Sequence, residues 1–138
     1  MKEIVKTMHT KGEKLMKITT FNPMLLTPQS GDVIRIFEEL GFKKTNSPSM
    51  DSDIGEVTLN HLRHSDGFDI DIASVQILPQ DMTLIRMNVD NFEEAYSTLT
   101  AHGFKNSQGD KVTRTESSIA ATMVSPSGLI IDLIQHIN

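Results

Sequence analysis

The side chains in this chain that could do chemistry carry nitrogen and oxygen, not sulfur nucleophiles. There are five histidines, one tyrosine and no cysteine among 138 residues. Without cysteine there is no disulfide, no thiolate nucleophile and no sulfur-ligated zinc. His9, His61, His64, His102 and His136 are scattered, and no two have the spacing of a metal motif. Charges inside apolar segments stand out instead. Asp69 and Asp71 alternate with Phe68, Ile70 and Ile72, Arg86 interrupts Leu84-Ile85 and Met87, and Asp132 lies within Leu129-Ile130-Ile131 and Leu133-Ile134. A guanidinium in such a place must be paired, and its planar fork suits carboxylates and phosphates. It therefore reads as a clamp for an anionic ligand, or as one end of an internal ion pair with Asp132, Asp71 or Asp69. His61 is a general-base candidate by residue type. Alternation does not say which face it occupies, and a solvated strand histidine is the expectation, as it is for His64 in a turn. No GxGxxG, P-loop or GxSxG is present. Ser125-Pro126-Ser127-Gly128 is a hairpin turn, whereas a nucleophile elbow needs a strand–turn–helix setting.

These residues need elements to hold them, and the chain supplies those elements twice. Gly41-Phe42-Lys43 closes one helical pattern and Gly103-Phe104-Lys105 closes another, 62 residues later. In the first half, the apolar run Met24-Leu25-Leu26 leads into a turn. A helix follows, capped by Asp32, with Val33, Ile36, Phe37 and Leu40 on one face. In the second half, the strand Thr83 to Val89 leads to a helix capped by Asp90 or Asn91, with Phe92, Ala95, Tyr96 and Leu99 on its face. Strands are expected at Gly55 to Arg63, Phe68 to Ile72, Ser118 to Val124 and Leu129 to Ile134. Weaker ones are expected near Lys43–Thr45 and Lys111–Thr115. Each half thus reads β-α-β-β-β. Unit 1 spans 16–77 and unit 2 spans 82–138, with the linker around Pro79, and residues 1–15 form an arm outside the repeat.

Period-two alternation sorts the strands into faces. Ile85, Met87 and Val89 face the helix, so Leu84, Arg86 and Asn88 face away from it. In the first strand Asn22, Met24 and Leu26 face inward, as do Asp69 and Asp71. In the last strand Ile130, Asp132 and Ile134 face inward.

Composition limits the partners. A net charge of −5 and no basic stretch argue against nucleic acid. No apolar run reaches the ~20 residues that span a bilayer. The opening MKEIVKTMHTKGEKL has no apolar core and is not read as a signal peptide, so a cytoplasmic protein is expected.

The β-α-β-β-β repeat, the stretch IRMNVDNFEEAYSTLTAHGF (Ile85 to Phe104) and VSPSGLIIDLIQ (Val124 to Gln135) resemble the vicinal oxygen chelate superfamily. That superfamily includes glyoxalase, bleomycin-resistance and dioxygenase-like proteins. The resemblance implies an α+β fold whose two tandem units present curved mixed sheets to each other across a ligand cleft, and a homodimer. Asn22, Met24, Asp69, Asp71, Leu84, Arg86, Asn88 and Asp132 would line the cleft. Metal-dependent members carry His or Gln in each first strand and Glu in each last strand. Asp71 and Asp132 fall at the two carboxylate positions, 61 residues apart, but the first strands offer Asn22 and Leu84. Leucine cannot coordinate a metal. The expectation is therefore binding of a small molecule with no cofactor and no conventional metal site, the catalytic residues being unassigned. The alternative is a divalent-metal-dependent lyase, isomerase or dioxygenase using Asp71 and Asp132.

Overall fold

Ten strands form the body of the molecule in a computed structural model that describes residues 16–47, 49–52 and 55–137. The expected arm at 1–15 lies outside the described residues. The first half runs β1 (Ile18–Thr27), α1 (Ser30–Glu39), β2 (Phe42–Asn46), β3 (Ser49–Ser52), β4 (Gly55–His64) and β5 (Asp69–Ser74). The second runs β6 (Met82–Val89), α2 (Phe92–Ala101), β7 (Lys105–Asn106), β8 (Thr113–Arg114), β9 (Ser118–Val124) and β10 (Ile130–His136). All ten strands join one mixed sheet in the order β2-β4-β5-β1-β6-β10-β9-β7, with β3 on β4 and β8 on β9.

The two halves meet at the antiparallel β1–β6 pair, where Asn22 lies opposite Arg86 and Met24 opposite Leu84. Each of these strands takes the last strand of its own half as a parallel neighbour, β5 beside β1 and β10 beside β6. A proline in a central strand would normally cost a ladder hydrogen bond. Pro23 is tolerated because pairing with β5 begins one residue later, at Met24.

Both helices pack on the same side of the strands as the odd-numbered residues of β6. Phe92 and Ala95 of α2 sit on Met87, Val89, Met123, Ile131 and Leu133. Val33, Ile34 and Phe37 of α1 sit on Leu62, Ile70 and Ile72. On the other side, Met24 and Leu26 join Leu59, Ala73 and Val75 in a smaller apolar cluster. No described helix is long and apolar enough to cross a membrane.

Several local expectations are corrected. Helix α1 begins at Ser30, two residues before Asp32, because the Gln29 carbonyl already accepts from Val33 N. Asp32 therefore lies in the first turn, where its charge meets the helix dipole, and does not cap the helix. Asn91 caps α2 as expected, its side chain accepting from Glu94 N at 3.1 Å. The strand expected over 111–115 is reduced to Thr113–Arg114, because the Asn106 side chain ties down the Lys111 carbonyl and holds the preceding residues in a turn. His64 is half-buried, not solvated. Its ring packs on Phe42 and Phe68 and covers Gly41, where a Cβ would lie 2.8 Å from His64 Nε2 and φ is +104°.

The core of the second half is the more fully buried of the two and is the place to test the packing. Leu133 has no exposed surface. Leu133→Ala is expected to lower unfolding free energy by about 2–5 kcal/mol in urea denaturation. A loss below about 1 kcal/mol would contradict the packing described.

Candidate functional site

The β4–β5 hairpin builds the centre of the site. His64 N donates to the Phe68 carbonyl at 2.8 Å, which fixes the register and sets Arg63 opposite Asp69 and His61 opposite Asp71. All four residues then share the face away from the helices. Asp71 is 1% exposed, so its carboxylate depends on protein donors. Asn22 Nδ2 of β1 donates to Oδ2 at 2.8 Å, His61 Nδ1 of β4 lies 2.7 Å from Oδ1, and Arg86 Nη1 of β6 lies 3.3 Å from Oδ2. One carboxylate on β5 thus ties three other strands to its own.

Asp69 sits nearer the rim. Arg63 grips it with Nε at 2.7 Å and Nη2 at 3.3 Å, and His61 Nε2 lies 3.2 Å from its Oδ1. The hydrogen bond from Arg63 holds the Asp69 carboxyl below its ordinary range, against the opposing effect of burial. His61 is therefore bracketed by two carboxylates, one at each ring nitrogen. Its side chain is 27% exposed and faces the site, which corrects the expectation of a solvated strand histidine.

Arg86 is the least satisfied group. Its side chain is 17% exposed, and among the described residues its one hydrogen bond is the 3.3 Å contact with Asp71. Its Nε is buried without a partner, and so is Oδ1 of Asn88, two residues along the same face. Asn22, His61, Asp69, Asp71, Arg86 and Asn88 line a cavity of about 450 Å³, together with Thr20, Arg63 and His136. Met24 and Leu84 pair with each other across the two strands, one pair along from Asn22 and Arg86 on this face, and are not among the lining residues.

Asp132 lines a different cavity, of about 690 Å³, with Asn106, Lys111, Arg114 and Thr122. It lies opposite Arg86 in the β10–β6 register, so the guanidinium stands between the two expected carboxylates. The eight expected site residues thus divide. Asn22, Asp69, Asp71, Arg86 and Asn88 share one cavity, Met24 and Leu84 line neither, and Asp132 belongs to the next.

No protein-family model matches the chain, and no curated protein matches it. Solved structures do share its architecture. Methylmalonyl-CoA epimerase from Mycobacterium tuberculosis matches 86% of this chain and 88% of its own, at 12% identity and a TM-score of 0.66. A glyoxalase/bleomycin resistance protein/dioxygenase superfamily member from Vibrio splendidus 12B01 matches 88% of this chain and all of its own, at 15% identity and a TM-score of 0.59. Glyoxalase I from Zea mays matches 94% of this chain and 47% of its own, at 12% identity and a TM-score of 0.60. The fold is that of the vicinal oxygen chelate superfamily. At these identities the likeness is one of fold, and chemistry has to be argued from the side chains.

The side chains of this vicinal oxygen chelate fold do not suit a metal. A transition-metal site needs three or four converging N or O donors. Among the described residues no group of three or more His, Asp or Glu side chains could hold a metal ion. Both oxygens of Asp71 are already engaged by Asn22, His61 and Arg86, and the neighbouring cation is a guanidinium. Three contacts to Asp71 are thus made by protein groups, and a metal bound there would have to compete with them and with the guanidinium.

Burial pushes the Asp132 carboxyl up to about 6, with Asp71 adding to the rise and Arg86 opposing it. The folded chain therefore binds this proton more tightly than the unfolded chain, whose ordinary value is 3.8. The associated stability is full at low pH and is lost as pH rises from about 4 to about 6. Asp132→Asn is expected to be more stable than the parent at pH 7, by roughly 1–3 kcal/mol, with the difference shrinking towards pH 4. Denaturant titrations at the two pH values measure this, and a variant less stable than the parent at pH 7 would contradict it.

Proposed function

We propose that the Asp71 cavity binds a small anionic molecule, with Arg86 as its anchor and without a resident metal. On this reading the chain is a glyoxalase- or bleomycin-resistance-like binding protein. Residues 16–77 and 82–138 are its two tandem units, and the polar cavity is the ligand cleft. The observation that carries the proposal is the incomplete pairing of Arg86. Asn22 and His61 meet the needs of Asp71 at 2.8 and 2.7 Å, while Arg86 makes the longest of the three contacts. The guanidinium can turn to a ligand without stranding the buried carboxylate. Most of its fork has no protein partner, and carboxylates and phosphates match that fork in a bidentate way.

The surroundings favour a specific ligand over general anion attraction. Asp69 and Asp71 offset the charges of Arg63 and Arg86, so the cavity presents placed donors, not a positive field. Asn88 Oδ1 asks for a donor, which a hydroxyl or amide beside the anionic group would supply. Leu59, backed by the apolar cluster of Met24, Ala73 and Val75, offers contact for a short carbon skeleton. The metal-dependent alternative gains no support from the donor set.

Thermal-shift screening of small mono- and dicarboxylates and inorganic phosphate tests the proposal. A ligand at a hundredfold excess over Kd stabilises by about 2.7 kcal/mol, enough to raise Tm by several degrees. Arg86→Ala should remove the shift, and Arg86→Lys should keep only part of it, because a point charge lacks the planar fork. A full shift in Arg86→Ala would overturn the proposal.

A further inference from the structure

Folding leaves two polar atoms of β6 buried and without a hydrogen bond, Nε of Arg86 and Oδ1 of Asn88. One is a donor and the other an acceptor. The two residues are two apart in the strand, so alternation puts both on the face away from the helices, with Cα atoms about 7 Å apart.

Strand order explains why Asn88 is isolated. Its cross-strand neighbours are Thr20 on β1 and Ile134 on β10. Ile134 is buried and apolar, so it offers the amide no partner. Among the described residues the Asn88 side chain makes no hydrogen bond at all. Yet Asn88 is only 8% exposed, and it lines the same cavity as Arg86 and Asp71. An acceptor withdrawn from water and left unpaired is costly. The χ2 torsion of asparagine is broad, so the amide can swing and aim Oδ1 at a molecule held in the cavity.

We infer that the ligand of this cavity is a short hydroxy acid, its carboxylate on Arg86 and its hydroxyl donating to Asn88 Oδ1. The inference rests on the reading of Arg86 as an anion anchor and adds the chemical class of the anion. A hydroxyl is the donor that fits. An ammonium would bring three N–H groups to one neutral acceptor, because the oxygens of Asp69 and Asp71 are already engaged by Arg63, Asn22, His61 and Arg86. A keto acid adds a second acceptor and leaves Oδ1 as it was. Hydrogen phosphate has an O–H of its own, but its double charge would face the carboxylates of Asp69 and Asp71. A carboxylate brings half that charge. A cavity of about 450 Å³ with Leu59 in its lining suits a carbon skeleton of a few atoms.

The two residues of β6 then have separate duties. Arg86 decides whether an acid binds, and Asn88 decides which acid. Asn22 and His61 keep the buried Asp71 carboxylate paired while the guanidinium turns to its ligand.

Isothermal titration calorimetry of the full chain with matched acids tests the inference. Glycolate is compared with acetate, and L- and D-lactate with propionate and pyruvate. Glycolate or one lactate should bind at least roughly tenfold more tightly than the matched acids without a hydroxyl. Asn88→Ala should abolish that preference, and the substitution breaks no side-chain hydrogen bond among the described residues. The comparison within the parent chain is decisive without any variant. Equal binding of hydroxy and plain acids overturns the inference, as does pyruvate binding as tightly as lactate. A preference that survives in Asn88→Ala overturns it too. If plain and hydroxy acids bind equally and Arg86→Ala loses both, the anchor stands and the hydroxy-acid inference alone falls. If no acid binds below about 10 mM, the inference falls, and phosphate binding to Arg86→Ala and to the parent decides the anchor separately.

Discussion

A carboxylate that is 1% exposed has to be surrounded by donors, and Asp71 imposes that condition on the middle of the sheet. Its donors come from three other strands. Asn22 is on β1, His61 on β4 and Arg86 on β6, so the contact spans the seam at which the two halves of the chain join. Removing one partner of a buried charge costs far more than the pair contributes on its own. The register of β1 against β6 and of β4 against β5 is therefore fixed twice, once by backbone ladders and once by Asp71. That fixed register then sets Arg63 on Asp69 and aligns Asn88 with the open cavity.

Arg86 gives this constraint its bearing on function. Nitrogen groups and carboxylates alternate across the sheet from Arg63 to Asp69, His61, Asp71, Arg86 and Asp132. A permanent cation in the middle of that series, shared between Asp71 and the approach to Asp132, divides the face into two cavities of different character. One has a guanidinium with free donors, and the other has a carboxylate without any.

Much of this was legible in the sequence. The two helices, most of the strands around them and the faces of β6 and β10 follow from periodicity and from the recurring Gly-Phe-Lys, but α1 packs through Val33, Ile34 and Phe37 and leaves the expected Ile36 and Leu40 exposed. What escaped has definable causes. His61 looks like a solvated strand residue, and alternation leaves the face it shares with Arg63 open, until the turn at 64–68 is used to count outward. Residues equidistant from it then pair, and His61 meets Asp71 while Arg63 meets Asp69. Sequence alone left Arg86 three aspartates to choose from, and the choice rests on strand order, which no local pattern encodes. Alternation gave the face of Asp132 but not its neighbours, so its separate cavity was out of reach. Strands as short as β3 and β7 lie below the length at which periodicity speaks.

If Arg86 neutralises the carboxylates of this face, a metal ion has no part in holding them together. Equilibrium dialysis of the full chain against Zn²⁺, Ni²⁺, Mn²⁺ and Mg²⁺, followed by elemental analysis, tests this when Asp71→Asn and Asp132→Asn are run in parallel. Far less than one equivalent of any of these metals is expected in the parent, with no further loss in either variant. One full equivalent in the parent that disappears from both variants would contradict the role given to Arg86.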